Sequence, residues 1–375
     1  MLSHDLRSLF ATYVRLLFVA TCMSAAITTS QAQTRAYVAS SCTQSVFVID
    51  TSSNAIVANI PVGMGPSIPA VTPDGTRAYV TNSGSNTVSV IDTATDTVIA
   101  TIAVGVDPYG LAITPDGGRV YVVNVLSSTI SVIDTASNTV VASIPDSLGP
   151  LQVGITPDGT RAYVTNGSFL VTSFGTTVSV IDTATNTMID TIPVGFVPTG
   201  IAFTPDNARA YVANRNSGPV WAIDTTSNTV IATIPDVSAS SGIAITSDGT
   251  KAYVSSQFDI TVSVIDTATN AAVATIPLAP TRNPVFLALT PDDTRLYVSN
   301  AADPITIGTL DVMDTATNTV IATIPAPGFC PLGIAIAPLV PRSKDDCKNG
   351  GYQQFRTLAF PNQGQCIKYV NEHTN

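Results

Sequence analysis

Side chains that could do chemistry are scarce in the central part of this 375-residue chain. Residues 35–338 contain no histidine and no glutamate, a single lysine at Lys251, and two cysteines, Cys42 and Cys330. Catalysis by Ser-His-Asp or Cys-His groups, and metal binding by histidine, need residue types that this segment lacks. The sequence therefore excludes such sites between residues 35 and 338, and with them most hydrolase chemistry.

Aspartate is the abundant titratable residue, with 22 copies in the same segment. Seven of them close a Val-Ile-Asp motif or a variant of it, and six lie in Pro-Asp-Gly or a variant of it. Aspartate at such positions typically bonds the backbone amides of a tight turn. We therefore interpret these thirteen aspartates as turn residues rather than as catalytic acids.

These aspartates belong to a unit that occurs seven times along the chain. Its tyrosine marker stands at Tyr37, Tyr79, Tyr121, Tyr163, Tyr211, Tyr253 and Tyr297, and successive markers are 42 to 48 residues apart. A fixed period in this range is typical of solenoids, arrays and propellers. An arginine or lysine precedes each tyrosine by two positions. We expect both series to pack between repeats, with the basic residues paired to nearby aspartates.

Each repeat contains four short apolar runs, such as residues 110–114, 119–123, 129–133 and 139–144. Proline and glycine of the Pro-Asp-Gly motif suit a tight turn, so the first two runs form an antiparallel hairpin. Asn207 and Asp293, which replace the glycine in two repeats, tolerate the same left-handed conformation. Four antiparallel strands per repeat describe one propeller blade. The sequence predicts an all-β fold, a seven-bladed β-propeller of four-stranded antiparallel blades, over residues 33–340.

The two ends of this segment complement each other. The first copy begins in its second strand at Arg35, and the last copy ends with a surplus first strand, Leu332 to Ala337. Ring closure places these strands side by side, so the closing blade is built from both chain ends. Repeat alignment then sets Cys42 opposite Cys330 and predicts a disulfide there. Because cysteines of exported proteins usually pair, Cys347 and Cys366 are expected to form a second disulfide in the tail, residues 341–375.

The repeat motif TRAYVTN, with its companions VSVID and ITPDG, resembles the YVTN family of β-propeller repeat proteins over residues 35–338. The resemblance implies an exported or cell-surface propeller of a kind that includes surface-layer proteins. The tail, SKDDCKNGGYQQF followed by FPNQGQCIKYV, resembles a short cysteine-pair segment at the ends of many exported bacterial proteins.

The N-terminal segment has the composition of a secretory signal peptide. Arg7 and Arg15 precede an apolar run from Leu16 to Ile27, and Ser30 and Ala32 are small residues at the −3 and −1 positions of a cleavage site. Residues 1–32 are therefore predicted to be removed, and no later stretch is long and apolar enough to span a bilayer. The expected location is secreted, periplasmic or at the cell surface. A lipid anchor at Cys22 is the alternative processing.

The net charge of −10 disfavours nucleic acid as a partner, because an acidic surface repels phosphate. Strand directions put the Pro-Asp-Gly hairpins and the aspartate turns at one end of the ring, the turn face. The loops after the second and fourth strands lie at the other end, the loop face. The loop face varies between repeats, and its notable residues are Asp107, Tyr109, Asp146, Phe169, Phe174, Phe196, Arg215, Asp236, Phe258, Asp259, Arg282 and Phe286.

Variable loops on a rigid scaffold commonly carry recognition. We expect Asp107, Tyr109, Arg215, Phe258 and Arg282 to contact a ligand, with aromatic rings supplying area and charges supplying orientation. The function predicted is non-enzymatic binding of a protein, glycan or envelope component without a cofactor. Ordinary solvent-facing loops are the alternative interpretation of these residues. The alternative function is a metal-dependent lactonase or lyase that holds Ca²⁺ or Mg²⁺ with Asp and Asn oxygens at the channel mouth.

Overall fold

The computed structural model describes residues 34–167, 175–215, 218–235, 237, 240–301, 308–325, 330–338, 344, 347–348 and 363–373. Within them, 28 strands form seven four-stranded sheets, and neighbouring strands in every sheet are antiparallel. The sheets follow one another around a central channel as the blades of a ring. This confirms the predicted all-β, seven-bladed propeller.

The strands are given blade by blade, from the channel outwards. Blades 1 and 2 consist of β28 (Pro331–Ile336), β1 (Arg35–Ser40), β2 (Ser45–Asp50), β3 (Ala55–Pro61), and β4 (Pro66–Val71), β5 (Arg77–Asn82), β6 (Thr87–Asp92), β7 (Thr97–Ala103). Blades 3 and 4 consist of β8 (Pro108–Ile113), β9 (Arg119–Asn124), β10 (Thr129–Asp134), β11 (Thr139–Pro145), and β12 (Gln152–Ile155), β13 (Arg161–Asn166), β14 (Thr177–Asp182), β15 (Thr187–Pro193).

The remaining blades follow the same order. Blade 5 consists of β16 (Pro198–Phe203), β17 (Arg209–Asn214), β18 (Val220–Asp224) and β19 (Thr229–Ile234). Blades 6 and 7 consist of β20 (Ser240–Ile245), β21 (Lys251–Ser256), β22 (Thr261–Asp266), β23 (Ala271–Pro277), and β24 (Pro284–Leu289), β25 (Arg295–Asn300), β26 (Thr309–Asp314), β27 (Thr319–Pro325).

The two middle strands of each blade hold the core. In β5 every residue after Arg77 is buried, and in β6 the four residues between its ends are buried. Both faces of these strands pack against neighbouring blades. Their sequences are therefore nearly continuous runs of Val, Ile, Ala and Tyr rather than an alternation of apolar and polar residues. Burying each Val or Ile side chain contributes roughly 1.5–3 kcal/mol, which makes the interfaces between blades the main source of stability.

The turn face is built from aspartates, as predicted. Asp74 Oδ1 accepts hydrogen bonds from the backbone N–H and the hydroxyl of Thr76, at 3.0 and 2.9 Å. Gly75, which follows it, has a φ of 71°, and Asn207 at the same place in blade 5 has a φ of 63°. Asp92 Oδ1 accepts the backbone N–H of Ala94 at 2.9 Å in the second kind of turn. Both series of aspartates are therefore turn residues.

Tyrosine and arginine series join neighbouring blades at this end. Tyr121 donates its hydroxyl proton to Asn186 Oδ1 at 2.6 Å, and the matching contact recurs in the other blades, with Asp96 as acceptor for Tyr37. The predicted pairing of the basic series with aspartates is largely wrong. Four of the seven basic residues donate to a backbone carbonyl of the next blade, because that carbonyl follows the third strand and needs a donor; they are Arg77, Arg161, Arg209 and Arg295. Arg35 does pair with an aspartate, through an ion pair to Asp96 at 2.7 Å.

Ring closure follows the prediction. β28 and β1 pair antiparallel, with Ala36 opposite Ile336 and Val38 opposite Ile334. Cys42 and Cys330 form a disulfide across the same two strands, with Cα atoms 5.4 Å apart. One blade is therefore made from both ends of the chain, and closure leaves no open end to the array of blades.

The tail has a disulfide of its own between Cys347 and Cys366, with Cα atoms 5.6 Å apart. Cys366 lies on helix α1 (Gln363–His373). Within the described part of the chain no helix is long and apolar enough to cross a membrane. The predicted signal segment, residues 1–32, lies outside the described residues.

Candidate binding site at the mouth of the channel

The innermost strands of the seven blades all begin at the loop face and run in the same direction around the channel. The residue after the Pro or Ser that begins each of these strands, or that precedes the strand in blade 4, therefore comes from a different blade but lies at the same height. These seven residues, which we call the mouth ring, are Ser67, Tyr109, Leu151, Thr199, Ser241, Val285 and Leu332. They surround a cavity of about 440 Å³.

The cavity opens between loops of the loop face. Asp107 precedes β8, and Ser83, Val125, Arg215 and Gln257 each follow the second strand of their own blades and also line it. A volume of this size lies within the range of roughly 300–1,000 Å³ that small-molecule sites occupy. The cavity is thus a ligand-sized recess at the end of the ring where the sequence predicted recognition.

β-bulges shape this recess. In β8 the pairing with β9 changes register between Pro108 and Leu111, and shifts at the same place occur in the innermost strands of blades 1, 2, 5, 6 and 7. A bulge turns a side chain out of its normal alternation. The register shift therefore coincides with the residues that point into the cavity.

One residue further down the channel, some of the innermost strands approach each other so closely that only glycine fits. A Cβ at Gly242 would lie 2.5 Å from the carbonyl oxygen of Val285, and one at Gly110 would lie 2.7 Å from that of Leu151. The same position holds glycine in four blades, and Ile68, Gln152 and Phe286 in the other three. At this level the channel wall is therefore formed by glycine in four blades and by these three larger side chains in the others.

Asp107 is held at the rim of the cavity by its backbone. Its N–H donates to Asn86 Oδ1 at 2.9 Å, and its carbonyl accepts from the Val125 N–H at 2.9 Å. Its φ is 58°, a left-handed conformation that aspartate tolerates better than most residues. Burial raises the pKa of the Asp107 carboxyl above its usual range.

Tyr109 follows Asp107 by two residues and is the second residue of β8. Its ring packs against the apolar cluster between blades 3 and 4 that includes Val125 and Val153, and its carbonyl accepts from Thr81 Oγ1 at 2.7 Å. Burial raises the pKa of the Tyr109 hydroxyl to about 12; the charge of Arg215 lowers it and that of Asp107 raises it. The hydroxyl is therefore neutral at physiological pH, able to donate or accept a hydrogen bond but unsuited to act as a base.

Arg215 enters the cavity from blade 5. It follows β17, and its N–H donates to the Val197 carbonyl at 3.0 Å. Val197 is fully buried with a φ of 58°, an uncommon conformation for a β-branched residue, so the segment that supports Arg215 is tightly constrained. Arg215 lines the same cavity as Asp107 and Tyr109.

Two further side chains complete the recess. Gln152 Oε1 is buried without a hydrogen-bond partner among the described residues. Phe286 on β24 reaches the apolar cluster of blades 2 and 3 that contains Ile68 and Leu111, so its ring lies across the channel. Gln152 was not predicted as a site residue, and Phe286 was noted only as part of the loop face. The signal that could have identified both is their presence at a glycine position.

The other two candidates lie outside the cavity. Phe258 is 71% exposed on the loop between β21 and β22. Arg282 donates from Nε to Asp311 Oδ2 at 3.1 Å, and Asp311 is buried. The structure therefore brings together Asp107, Tyr109 and Arg215 and places Phe258 and Arg282 elsewhere. Phe169, Phe174 and Asp236 lie outside the described residues.

The metal-site hypothesis required several carboxylates at the channel mouth. In the described segments no group of three or more His, Cys, Asp or Glu side chains is arranged to hold a metal ion. Asp107 is the carboxylate among the residues that line the cavity. The other side chains that line the cavity are one guanidinium, one phenol, two carboxamides, four hydroxyls and five apolar groups.

Comparison with known proteins supports the architecture. A family model described as YNCE-like β-propeller matches residues 66–168, which span blade 2, blade 3 and part of blade 4. No curated protein matches the sequence.

Several solved structures are similar to this chain in fold. A hydrazine synthase structure from Kuenenia stuttgartiensis is 24% identical, covers 76% of this chain and 90% of its own, and has a TM-score of 0.62. The dihydro-heme d1 dehydrogenase NirN in complex with DHE is 16% identical, covers 80% and 74%, and has a TM-score of 0.59. A functionally unknown protein from Desulfotomaculum acetoxidans DSM 771 is 22% identical, covers 81% and 98%, and has a TM-score of 0.69. At these identities the likeness shows the fold alone.

Proposed function

We propose that this chain is an exported, non-enzymatic β-propeller that binds a protein, glycan or other envelope component through its loop face, with the cavity at the channel mouth as the centre of recognition. The observation that carries the proposal is where the non-repeated residues lie. Of the eight tyrosines in residues 35–338, only Tyr109 stands outside the repeat series. Of the nine basic residues there, only Arg215 and Arg282 do. Tyr109 and Arg215 both line the cavity.

The contrast between the two ends of the ring supports the same proposal. On the turn face, aspartate carboxylates accept hydrogen bonds from their own turns, and arginines donate to the next blade. Those groups are used to hold the ring together. On the loop face, charged and aromatic side chains surround the cavity. These residues do not belong to the repeated series. Side chains placed this way are suited to a ligand.

Export and family belong to the same proposal. The YVTN-type repeats, the signal-like residues 1–32 and the two disulfides suit an oxidising compartment outside the cytoplasm. Expression of the full chain in a bacterium, followed by fractionation and N-terminal sequencing, tests this part. Cleavage after Ala32 gives a mature chain that begins at Gln33. A cytoplasmic chain that retains Met1 contradicts export, and a lipid-modified Cys22 at the N-terminus replaces soluble export with anchoring.

A matched pair of charge reversals tests binding. Arg215→Glu reverses a charge in the cavity, and Lys251→Glu reverses an exposed charge at the turn-face end of β21. The purified exported chain and both variants are immobilised and exposed to envelope extract of the source organism. We expect the native chain and Lys251→Glu to retain the same components and Arg215→Glu to lose them.

Two outcomes contradict this proposal. Equal retention by all three proteins places recognition outside the cavity. Loss of the retained components in Lys251→Glu but not in Arg215→Glu places it on the turn face. Far-ultraviolet circular dichroism and melting curves of the variants establish that each one is folded before the comparison is made.

A further inference from the structure

Three polar side chains that line the cavity carry oxygen atoms without a hydrogen-bond donor. Ser241 is 6% exposed, and its hydroxyl has no partner among the described residues. Gln152 Oε1 is buried and equally without a partner there. Burial is the cause of the raised pKa of the Asp107 carboxyl, and no hydrogen bond from the described part of the chain opposes it. The cavity therefore presents three acceptors that a ligand can satisfy.

The fold does not require these polar groups at their positions. The place of Ser241 in the mouth ring is taken by Leu151 in blade 4, and the place of Gln152 is taken by glycine in four blades. Asp107 has a φ of 58°, and Gly65 occupies the same place in blade 2 with a φ of 65°. A buried polar atom without a partner lowers stability. Residues that break the repeat at such a cost are expected at functional sites.

The three acceptors are spread around the cavity. Asp107 precedes the first strand of blade 3, and Gln152 begins the first strand of blade 4, where its amide lies against Gly110 of blade 3. Ser241 is on the first strand of blade 6, with blade 5 between it and Gln152. One nitrogen or oxygen donates only to atoms about 2.7–3.2 Å away. A ligand that serves this set therefore needs several donors at separate places on its edge.

The remaining wall of the cavity is largely apolar. Val125, Leu151, Phe286 and Leu332 line it between the polar groups. A suitable ligand therefore combines apolar faces with hydrogen-bond donors around its rim. A pyranose ring has this pattern, because its faces carry C–H groups and its rim carries hydroxyls that rotate to donate to whichever acceptor is near.

We propose that the cavity binds a neutral sugar unit of a glycan, with sugar hydroxyls donating to Asp107, Gln152 and Ser241 and a C–H face of the ring against Phe286. This assignment rests on the proposed binding function and specifies the ligand class of that same site. Binding gives each of the three acceptors the donor that the protein does not supply.

Titration calorimetry with the purified exported chain tests the assignment. The probes are maltose, cellobiose and N,N′-diacetylchitobiose, the permethylated form of each, and 1,4-diaminobutane as a cationic donor. We expect at least one disaccharide to bind, and its permethylated form to bind at least about tenfold more weakly, because O-methylation removes the donors and keeps the ring. The diamine is expected to bind more weakly than that disaccharide.

A matched pair of hydroxyl deletions separates binding from structure. Ser241→Ala removes the hydroxyl without a partner, so it is expected to weaken sugar binding about tenfold or more without lowering the melting temperature. Ser137→Ala, on the turn face, removes a hydroxyl that donates to Asp134 Oδ1 at 2.8 Å. It is expected to lower the melting temperature and to leave sugar affinity unchanged. A merely structural role for Ser241 would give the second pattern for both variants.

Asp107→Gly provides a second test that does not depend on Ser241. Glycine suits the left-handed φ at this position, so the variant is expected to fold with undiminished stability. Loss of the carboxylate is expected to weaken sugar binding about tenfold or more, since hydrogen bonds to a charged acceptor are the stronger ones. Sugar affinity that is unchanged in both Ser241→Ala and Asp107→Gly contradicts the assignment.

Three further results overturn the assignment: no disaccharide binds, the permethylated form binds as well as its parent, or the diamine binds more tightly than every disaccharide. The envelope-extract comparison made with the same protein separates the two proposals. Retention that depends on Arg215, together with no sugar binding, rejects the sugar and leaves the binding function standing. Loss of both results rejects the binding function as well.

Discussion

Tyr297 donates its hydroxyl proton to Asn54 Oδ1 at 2.7 Å, and this contact joins the seventh blade to the first. The two residues are 243 positions apart in sequence. Tyr121 makes the same contact with Asn186 at 2.6 Å inside the ring. The closing seam is therefore built from the same interaction as the other interfaces, although its two sides come from opposite ends of the chain.

Tyr297→Phe and Tyr121→Phe form a matched pair that tests whether the seam is as strong as an interior interface. Each change removes a hydroxyl and leaves an amide oxygen without its donor, at a cost of about 1–3 kcal/mol in the free energy of unfolding. If the ring unfolds as one unit, both variants lose the same amount in urea denaturation. A large loss for Tyr121→Phe with none for Tyr297→Phe would mean that the seam opens before the rest unfolds.

Removal of the Cys42–Cys330 disulfide is expected to lower stability far more than removal of Cys347–Cys366. The first bridge joins residues 288 positions apart, whereas the second joins residues 19 apart. In the chain-entropy model the longer loop contributes more, and loss of a native bridge costs about 2–5 kcal/mol. The comparison uses thermal denaturation of Cys42→Ser/Cys330→Ser and Cys347→Ser/Cys366→Ser.

An equal melting shift in the two double variants would contradict this account, because it would place the stabilisation in local contacts rather than in ring closure. The strand pairing of β1 with β28 persists in either case through backbone bonds such as Ala337 N–H to the Arg35 carbonyl at 2.8 Å. The first double variant is therefore expected to fold, at lower stability.

Arg282 and the buried Asp311 form an ion pair. We expect removal of Arg282 alone to cost more stability than replacement of both residues. Asp311 also accepts from Asn300 Nδ2 at 2.9 Å and Thr323 Oγ1 at 2.6 Å. Arg282→Ala leaves the carboxylate buried without its cation and is expected to cost about 3–5 kcal/mol. Asp311→Ser installs the residue that Ser89 and Ser263 supply at this position in other blades.

The double variant Arg282→Ala/Asp311→Ser is therefore expected to recover most of the stability that Arg282→Ala loses. Chemical denaturation of the native chain, both single variants and the double variant gives the coupling energy directly. Additive losses would show that the pair is not coupled, and that Arg282 is available for a role in binding instead.

Much of the architecture could be predicted because the same sequence markers recur in every blade. The Tyr series and the VID aspartates mark each blade, and the two incomplete copies at the ends leave one way to close the ring. Cys42 and Cys330 then follow from alignment alone. Replacement of a turn glycine by Asn207 or Asp293 was also interpretable, since few residues accept a positive φ.

Contacts of individual side chains, which do not follow from the repeat, were harder to predict. Four of the seven basic residues pair with backbone carbonyls, and a sequence pattern shows charged partners but not an unsatisfied carbonyl at a strand end. Arg282 appeared free to bind a ligand because its partner Asp311 replaces a serine on a distant strand. Gln152 was not predicted to line the cavity, because this depends on how closely β8 and β12 approach each other at Gly110, and the sequence does not show that distance.

Asp146 gives a prediction with a pH dependence. It lies at a position that Val62, Val104 and Val194 occupy in other blades, and it is 1% exposed. Burial raises the pKa of its carboxyl, against hydrogen bonds from the Leu148 N–H and from Ser179. Its Oδ2 has no partner within the described residues. Asp146→Val should therefore stabilise the protein at pH 7 by about 1–3 kcal/mol, as expected when a poorly satisfied buried polar group is removed.

The sign of the pH effect follows from the direction of this shift. Because the folded chain binds the Asp146 proton more tightly than the unfolded chain does, the native protein becomes more stable relative to Asp146→Val as pH falls from 7 through the raised pKa. The advantage of the variant should therefore shrink towards acid. Differential scanning calorimetry between pH 4 and pH 8 measures the gap, and Asp146→Asn, which keeps the shape without the charge, should follow the valine variant in its pH dependence. A gap that stays constant across this range would mean that the carboxyl is ionised in both states and that its burial carries no electrostatic cost.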